Sequence, residues 1–415
     1  MRKKMAQHGR AREDVLTDLR GFKSGDIDWE GGRAPLFVFK GDDQAHEVGR
    51  EAFFEYFSEN ALGSKRAFHS VRRMEEEVVD MALDLFHAPE SGRGFMTTGG
   101  TESIIQAVQT CRDWTRERRA APRARLNIVG PDSLHPAFDK AARLMDLEIR
   151  RAPVGADLRA DVAAMEALID ADTMMLIGSA PCFPYGVIDP IADIGELARA
   201  RDLWLHVDAC VGGYLAPFAR RIGRDIPDFD FSVDAVSSIS ADLHKFGFCP
   251  KPASTVFYRD ADRARHHAFD FNAWPNGRFT TTTVVGTRPA GGVAAAWATM
   301  QYLGVEGYER VARDLMNFID RYRAGVSAID GLRVLGQPHL SIVAFGADGF
   351  DIFAVAERMS ARGWLPGLVQ RPKAIHRMMS MLHAPSLDQY LSDLRECVAA
   401  VRAATTAQSS LEATY

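Results

Sequence analysis

Cysteine is scarce in this chain. Its 415 residues contain five, Cys111, Cys182, Cys210, Cys249 and Cys397, and none sits in a CxxC pair. That argues against a disulfide framework or a zinc knuckle and fits a reducing, cytoplasmic setting. A surplus of positive charge is also missing: 50 Lys and Arg stand against 55 Asp and Glu, a formal net charge of -5. The balance speaks against a nucleic acid or an anionic membrane as partner. One basic run exists, Arg116 to Arg125, and it reads as a solvated helix end and loop. The charged start MRKKMAQHGRAREDVL has no apolar stretch behind it, so no signal peptide is expected. No apolar run is long enough to span a bilayer, so no integral membrane segment is expected either. His266 and His267 are adjacent rather than at ligand spacing, which makes a surface pair and no metal site.

What is there is an ordinary globular composition, 47% hydrophobic and 25% charged, long enough for two or three structural units. Residues 1–63 read as an N-terminal extension, with a helix over Arg12 to Leu19 and a glycine-rich loop from Trp29 to Pro35. Helical spacing runs from Val71 to Phe86, with Pro89 just beyond it. Short apolar runs then alternate with helical patterns. Strands are expected at Leu126–Val129, Glu148–Ala152, Thr173–Ser179 and Leu203–Val207, and helices at Pro136–Met145, Val162–Ile169 and Ile191–Arg201. Such alternation implies crossover connections and a mainly parallel sheet covered on both faces. The large domain spans 64–304 and ends with a helix from Ala290 to Leu303. After Gly304 a smaller α+β domain, 305–404, opens with an amphipathic stretch to Ile329. Strands at Leu332–Leu335 and Ser341–Phe345 and a helix at Ile352–Arg362 follow. The tail, 405–415, is polar and expected to fray.

Four segments carry chemistry. In SSISADLHKFGFCPK, Lys245 follows His244 among small and aromatic residues. A lysine attacks an aldehyde only after losing its proton, and a partly desolvated pocket is expected to lower its pKa. In LWLHVDACVGGYLAPF, Asp208 ends a buried strand, at the carboxyl edge where open α/β sheets bind ligands. An ionised Asp there keeps a pyridine nitrogen protonated and makes the ring an electron sink. A turn cap is the competing reading, and the pairing with Lys245 decides against it. In FMTTGGTES, two glycines and polar residues open a helix, a good start for holding phosphate. No Gly-Lys-Ser/Thr follows, so this is not a Walker loop; a plain N-cap by Thr101 or Ser103 is the alternative. In SLHPAFDKAAR, His135 sits between a strand and a helix, placed to stack flat on a cofactor ring.

Together these segments resemble the fold-type I pyridoxal phosphate (PLP) enzymes of the group II decarboxylase superfamily, and within it the sphingosine-1-phosphate lyases. The matching stretches are HSVRRMEEEVVDM, TTGGTESI, HPAFDKAAR, APCFPYGVIDPI, LHVDACVGGYLAPF, FDFSVDAVSSISADLHKFGFCPK, VVGTRPAGG and PKAIHRMMSMLH, in the family's order from His69 to His383. The resemblance implies a mainly parallel seven-stranded sheet in the large domain and a homodimer with its site at the interface. It makes Lys245 the Schiff-base lysine, sets Asp208 on the pyridine nitrogen, and stacks His135 on the ring. Gly100 and Thr101 would hold the cofactor phosphate with help from His244, and Cys210 would lie beside the cofactor. Gly286 and Thr287 would reach a phosphate in the neighbouring subunit, and Lys251 would lie near the substrate's own phosphate.

Two positions depart from the lyase pattern. The family's Asn-Pro-Leu-His element reads Asn60-Ala61-Leu62-Gly63, without its histidine. A tyrosine that precedes Gly-Ser-Arg-Pro in the family is Phe279 here, which cannot donate or move a proton. The expected activity is Cα–Cβ cleavage of a phosphorylated amino alcohol to release an aldehyde. The alternative is α-decarboxylation of an amino acid, with Tyr185 and His135 as candidate proton donors. Weaker alternatives are an aminotransferase, with Arg371 or Arg288 on the carboxylate, and a non-catalytic PLP-binding relative. Thr280 to Thr283 reads as a loop at the subunit interface.

Overall fold

The computed structural model describes residues 2–119, 125–404 and 409–413. Seven strands form the central sheet: β1 (Arg93–Thr97), β2 (Asn127–Pro131), β3 (Glu148–Ala152), β4 (Thr173–Ser179), β5 (Trp204–Asp208), β6 (Val236–Ala241) and β7 (Ser254–Tyr258). Their spatial order is β1-β7-β6-β5-β4-β2-β3. The pairs from β3 to β6 are parallel, and only β7 runs against the rest. Strands β4, β5 and β6 are buried along their whole length, as a sheet covered on both faces requires. The serines of β6 are matched to bulky neighbours on β5. Ser238 accepts from the Trp204 indole at 2.7 Å and bonds His206 at 2.8 Å, while Ser240 meets the other nitrogen of His206 at 3.2 Å.

Twelve helices among the described residues surround the sheets. They are α1 (Arg12–Phe22), α2 (Asp43–Glu55), α3 (His69–Leu85), α4 (Gly100–Arg118), α5 (Ala137–Met145), α6 (Val162–Ala167), α7 (Ile191–Ala200), α8 (Ala216–Arg221), α9 (Ala261–Ala264), α10 (Gly291–Ser327), α11 (Ile352–Ala361) and α12 (Leu387–Ala403). Helix α10 joins the two parts of the chain and breaks at Gly304, whose φ of 53° is a conformation glycine adopts freely. The expected change of pattern after Gly304 falls at this break. Beyond it, β10 (Leu332–Val334), β11 (Ile342–Ala347), β12 (Gly367–Gln370) and β13 (Lys373–Met378) make an antiparallel sheet in the order β10-β11-β13-β12. A separate hairpin pairs β8 (Phe269–Trp274) with β9 (Gly277–Thr281). No described helix is long and apolar enough to cross a membrane.

Several expectations need correction. Residues 1–63 do not stand apart as a unit. Helix α1 has no buried residue, but Leu36, Phe39, Ala45 and Ala61 enter the main core. Thr280 and Thr281 belong to β9 rather than to a loop. His267 is not on the surface: it is 3% exposed, stacks on Phe95 at 3.8 Å and bonds Tyr258 and the Thr282 carbonyl. Its apolar neighbours, invisible in the His-His pair, bury it. In the tail, residues 405–408, 414 and 415 lie outside the described residues, as do 120–124 of the basic run. Residues 409–413 do not fray: the Ser409 amide donates to Asp351, and Leu411 and Ala413 pack against the core.

Candidate active site

The carboxyl ends of β5 and β6 and the amino end of α4 meet at one cavity of about 390 Å³. Its wall includes Gly99, Gly100, Thr101, His135, Phe183, Asp208, Cys210, Asp242, His244 and Lys245. A parallel sheet places ligands here because its connecting loops diverge at this edge.

Each group is held for a local reason. Lys245 lies in the tight turn after β6, between the fully buried Leu243 and Phe246. Gly247 permits that turn, since a Cβ there would lie 2.5 Å from the Leu243 carbonyl. The Lys245 Nζ sits 2.9 Å from Oδ2 of Asp242, which is 2% exposed at the side chain. Ser254 donates to the other Asp242 oxygen at 2.6 Å. Burial alone would pull the lysine pKa down, but Asp242, Cys210 and Asp208 outweigh it and leave the pKa raised. This reverses the expectation of a lowered value, because that expectation lacked the buried carboxylate. Asp242 is held below the usual carboxylate range: burial pushes it up, and Lys245 and His244 more than reverse this.

Asp208 ends β5, and its Oδ1 accepts from the Cys210 amide at 3.1 Å. His135 accepts at Nδ1 from the Ala137 amide at 3.1 Å, which fixes the ring and leaves the neutral form's proton on Nε2. Burial lowers its pKa, with Asp208 opposing. The Phe183 ring stands at 85° to it with centroids 6.2 Å apart. His244 accepts from the Ala253 amide at 3.1 Å and is likewise lowered by burial. The Cys210 thiol donates to Ser240 and is pushed up by burial.

Helix α4 begins without a side-chain cap. Its N-cap is Gly99, and neither Thr101 nor Ser103 plays that part. Ser103 is instead buried between Thr97 and Ser254. First-turn amides therefore remain for an anion. Gly100 brings them close: a Cβ would lie 2.8 Å from Cys210 Sγ and 2.9 Å from Asp242. Glu102, 7% exposed, ties this turn down by accepting from Thr98 and from the amides of Val284 and Val285.

Seven of the expected residues thus share one cavity: Lys245, His244, Asp208, His135, Gly100, Thr101 and Cys210. Tyr185 does not join them. Its hydroxyl donates to the Arg371 carbonyl at 2.5 Å, and its ring packs with Cys182, Val187 and Leu335. Gly286 and Thr287 lie away from this chain's own cavity, where Thr287 accepts from Asn60 at 3.3 Å. Asn60 also accepts from the Leu62 and Arg288 amides, pinning the 60–63 turn to the 287–289 segment. Phe279 sits on the hairpin against Phe269 and Trp274. Lys251 is exposed, its Nζ 5.7 Å from the Phe39 ring centre.

Asp242, Glu102 and Phe183 escaped the sequence reading. Asp242 had a signal, since three residues before a lysine in a tight turn is contact distance. Phe183 had none, and of Glu102's partners only Thr98 is near in sequence, the amides of Val284 and Val285 coming from a distant segment.

The cavity suits PLP on its own chemistry. It lies within the size range of cofactor sites, roughly 300–1,000 Å³. It offers an amine, a carboxylate at a strand end, a fixed imidazole and an uncapped helix start in one wall.

Comparison with known proteins agrees. Residues 67–348 match the family model described as the pyridoxal-dependent decarboxylase conserved domain. A sphingosine-1-phosphate lyase from Arabidopsis thaliana is 40% identical over 94% of this chain and 72% of its own length. Sphingosine-1-phosphate lyase 1 from Rattus norvegicus is 35% identical over 95% of this chain and 70% of its length. The solved structure of a sphingosine-1-phosphate lyase from Burkholderia pseudomallei superposes with a TM-score of 0.92 at 36% identity, covering 97% of this chain and 94% of that one.

Proposed function

Since this chain belongs to the pyridoxal-dependent decarboxylase family, and within it to the sphingosine-1-phosphate lyases, we propose that this PLP-dependent lyase cleaves the Cα–Cβ bond of a phosphorylated long-chain amino alcohol. The products are a fatty aldehyde and phosphoethanolamine. The observation that carries the reading is the cavity of Lys245, Asp242, Asp208 and His135, in a chain similar to the lyases over nearly its whole length.

PLP, when bound, supplies an electron sink for the pair left at Cα. The chain's own groups do the rest. Lys245 would hold the cofactor through its amine, which Asp242 beside it keeps protonated in the free protein. Asp208, at the end of β5 in the same wall, would meet the ring nitrogen. His135 offers a flat face and a proton at Nε2. The first turn of α4, with Gly100 and Thr101, takes the phosphate, and His244 flanks it. Lys251, outside the cavity wall, would meet the substrate's phosphate. Gly63 and Phe279 take no proton from a substrate hydroxyl; the titratable side chains of the cavity wall are Glu102, His135, Asp208, Cys210, Asp242, His244 and Lys245.

We place the enzyme in the cytoplasm as a homodimer. Phe269, Phe271, Trp274, Val284 and Val285 are each more than 40% exposed on one stretch of chain, an apolar area suited to a second copy. Gly286 and Thr287 would then serve the partner's cofactor phosphate.

α-Decarboxylation remains the second reading, favoured by one observation: the two lyase-type proton carriers are replaced by Gly63 and Phe279. Product analysis separates the two. PLP-loaded protein is offered a long-chain base phosphate and a panel of amino acids. Aldehyde and phosphoethanolamine support the lyase; carbon dioxide and an amine from an amino acid, with no aldehyde, overturn it.

A further inference from the structure

A second cleft, of about 180 Å³, adjoins the cofactor cavity, and Phe183 belongs to the wall of both. On one side the Phe183 ring faces His135 with centroids 6.2 Å apart; on the other it packs on His376 at 4.8 Å. The cleft runs between the N-terminal segment, β12 and the C-terminal segment. Leu36, Phe37, Leu365, Leu368 and Ala413 line it. No lining residue is charged; the one titratable side chain is His376, kept neutral by burial, with a pKa of about 4. Phe37 forms part of the rim. It is 50% exposed and holds a φ of 64°, a left-handed backbone that a bulky residue adopts only when its surroundings impose it.

We propose that this cleft receives the hydrocarbon chain of the substrate and sets the chain-length preference of the enzyme. The inference rests on the lyase reading for the identity of the head group. The occupant follows from three features together. The cleft starts at the Phe183 ring it shares with the cofactor cavity, it carries no charge to meet a polar group, and an exposed aromatic ring is fixed at its rim. A polar amino-acid side chain would gain nothing there, whereas each buried methylene strengthens binding about fourfold, or roughly fifteenfold for every two.

Two variants test it. Leu368→Trp fills the cleft from β12. Phe37→Gly removes the rim ring, and a glycine accepts the left-handed backbone, so this variant folds even if the first does not. The PLP-loaded proteins are assayed with 2-amino-3-hydroxyalkyl phosphates from hexyl to octadecyl. Independently of turnover, binding of linear alkylamines of the same lengths is measured by calorimetry. In the wild type, kcat/KM and alkylamine affinity rise with length and then level off. In Leu368→Trp the ratio of long-chain to short-chain kcat/KM falls by roughly tenfold or more, and in Phe37→Gly by a smaller factor. A slope with length that is absent in the wild type, or unchanged in both variants, overturns the proposal. A cleft-dependent alkylamine slope without cleavage of any amino-alcohol phosphate supports the cleft and sinks the lyase reading alone.

Discussion

Asp242 Oδ2 lies 2.9 Å from Lys245 Nζ, inside a wall where the carboxylate has almost no contact with solvent. The pair makes the lysine an ammonium in the free protein. With Lys245 as the proposed Schiff-base lysine, it would also set how the cofactor loads, since only the neutral amine attacks an aldehyde.

Replacing that carboxylate should therefore move the loading reaction. In Asp242→Asn the lysine loses its main opposing charge, and imine formation with PLP should become fast at lower pH than in the wild type. Stopped-flow absorbance against pH measures the shift. The same change should destabilise the protein by about 3–5 kcal/mol, as breaking a buried pair does. The signs are separate for the two partners. The depressed Asp242 contributes stability that is lost as pH falls through its folded pKa. The raised Lys245 contributes stability that is lost only as pH rises through its own. An unchanged loading profile in Asp242→Asn would show that another group controls the lysine.

Asp208→Asn should leave PLP attached but slow turnover by roughly a hundred- to a thousandfold, the usual loss when one fixed electrostatic partner of the developing charge is removed. Lys245→Ala should abolish the imine absorbance altogether. Retained activity in the first variant, or retained imine absorbance in the second, would contradict the assignments.

Gly100→Ala probes the start of α4. Its new Cβ would lie 2.8 Å from Cys210 Sγ and 2.9 Å from both oxygens of Asp242. Overpacking of this kind costs about 1–3 kcal/mol. PLP affinity should fall by an order of magnitude or so, because the helix start must back away. Equilibrium dialysis gives the affinity and a denaturant titration the stability.

Phe279→Tyr restores the hydroxyl that the lyase pattern carries. The site is a partly exposed hairpin, so stability should move by no more than about 0.5 kcal/mol. If the hydroxyl serves proton transfer, kcat for aldehyde release should rise, by up to about a hundredfold. No change in kcat would mean that this chain moves the proton with another group.

Acid should weaken the fold before it reaches the carboxylate range. His206, His267, His376 and His383 are all buried with pKa values near 4. In the unfolded chain they take up protons from about pH 6.5. Each therefore contributes stability that is fully present above that pH and is lost between about 6.5 and 4, at about 1.4 kcal/mol per pH unit. Urea midpoints at steps from neutral to pH 5 should fall with this steep slope, and His206→Gln should make the slope shallower. A flat profile over that range would show that these side chains are not held neutral.

Much of this was legible in the order of residues. The alternation from Leu126 to Val207 announced the parallel sheet, because strands covered on both faces are continuous apolar runs and their crossovers are amphipathic helices. Gly304 marked the break in the long helix α10, since a positive φ within a helix favours glycine. Lys245, Asp208, His135 and the Gly99-Gly100 turn, which share the cavity, were recognisable as candidates because a cofactor with an aldehyde, a ring nitrogen and a phosphate demands an amine, an acid, a flat ring and free amides. Tertiary structure alone decided what those groups experience. It buried Asp242 beside Lys245 and so reversed the direction of the lysine's pKa. It turned the Tyr185 hydroxyl away to Arg371, buried His267 against Phe95, and docked the C-terminal segment beside Leu368. All four depend on contacts between segments far apart in the chain or on burial. Charge coupling and desolvation are set by distance and by surrounding volume, and neither is written in the spacing of residues along a chain.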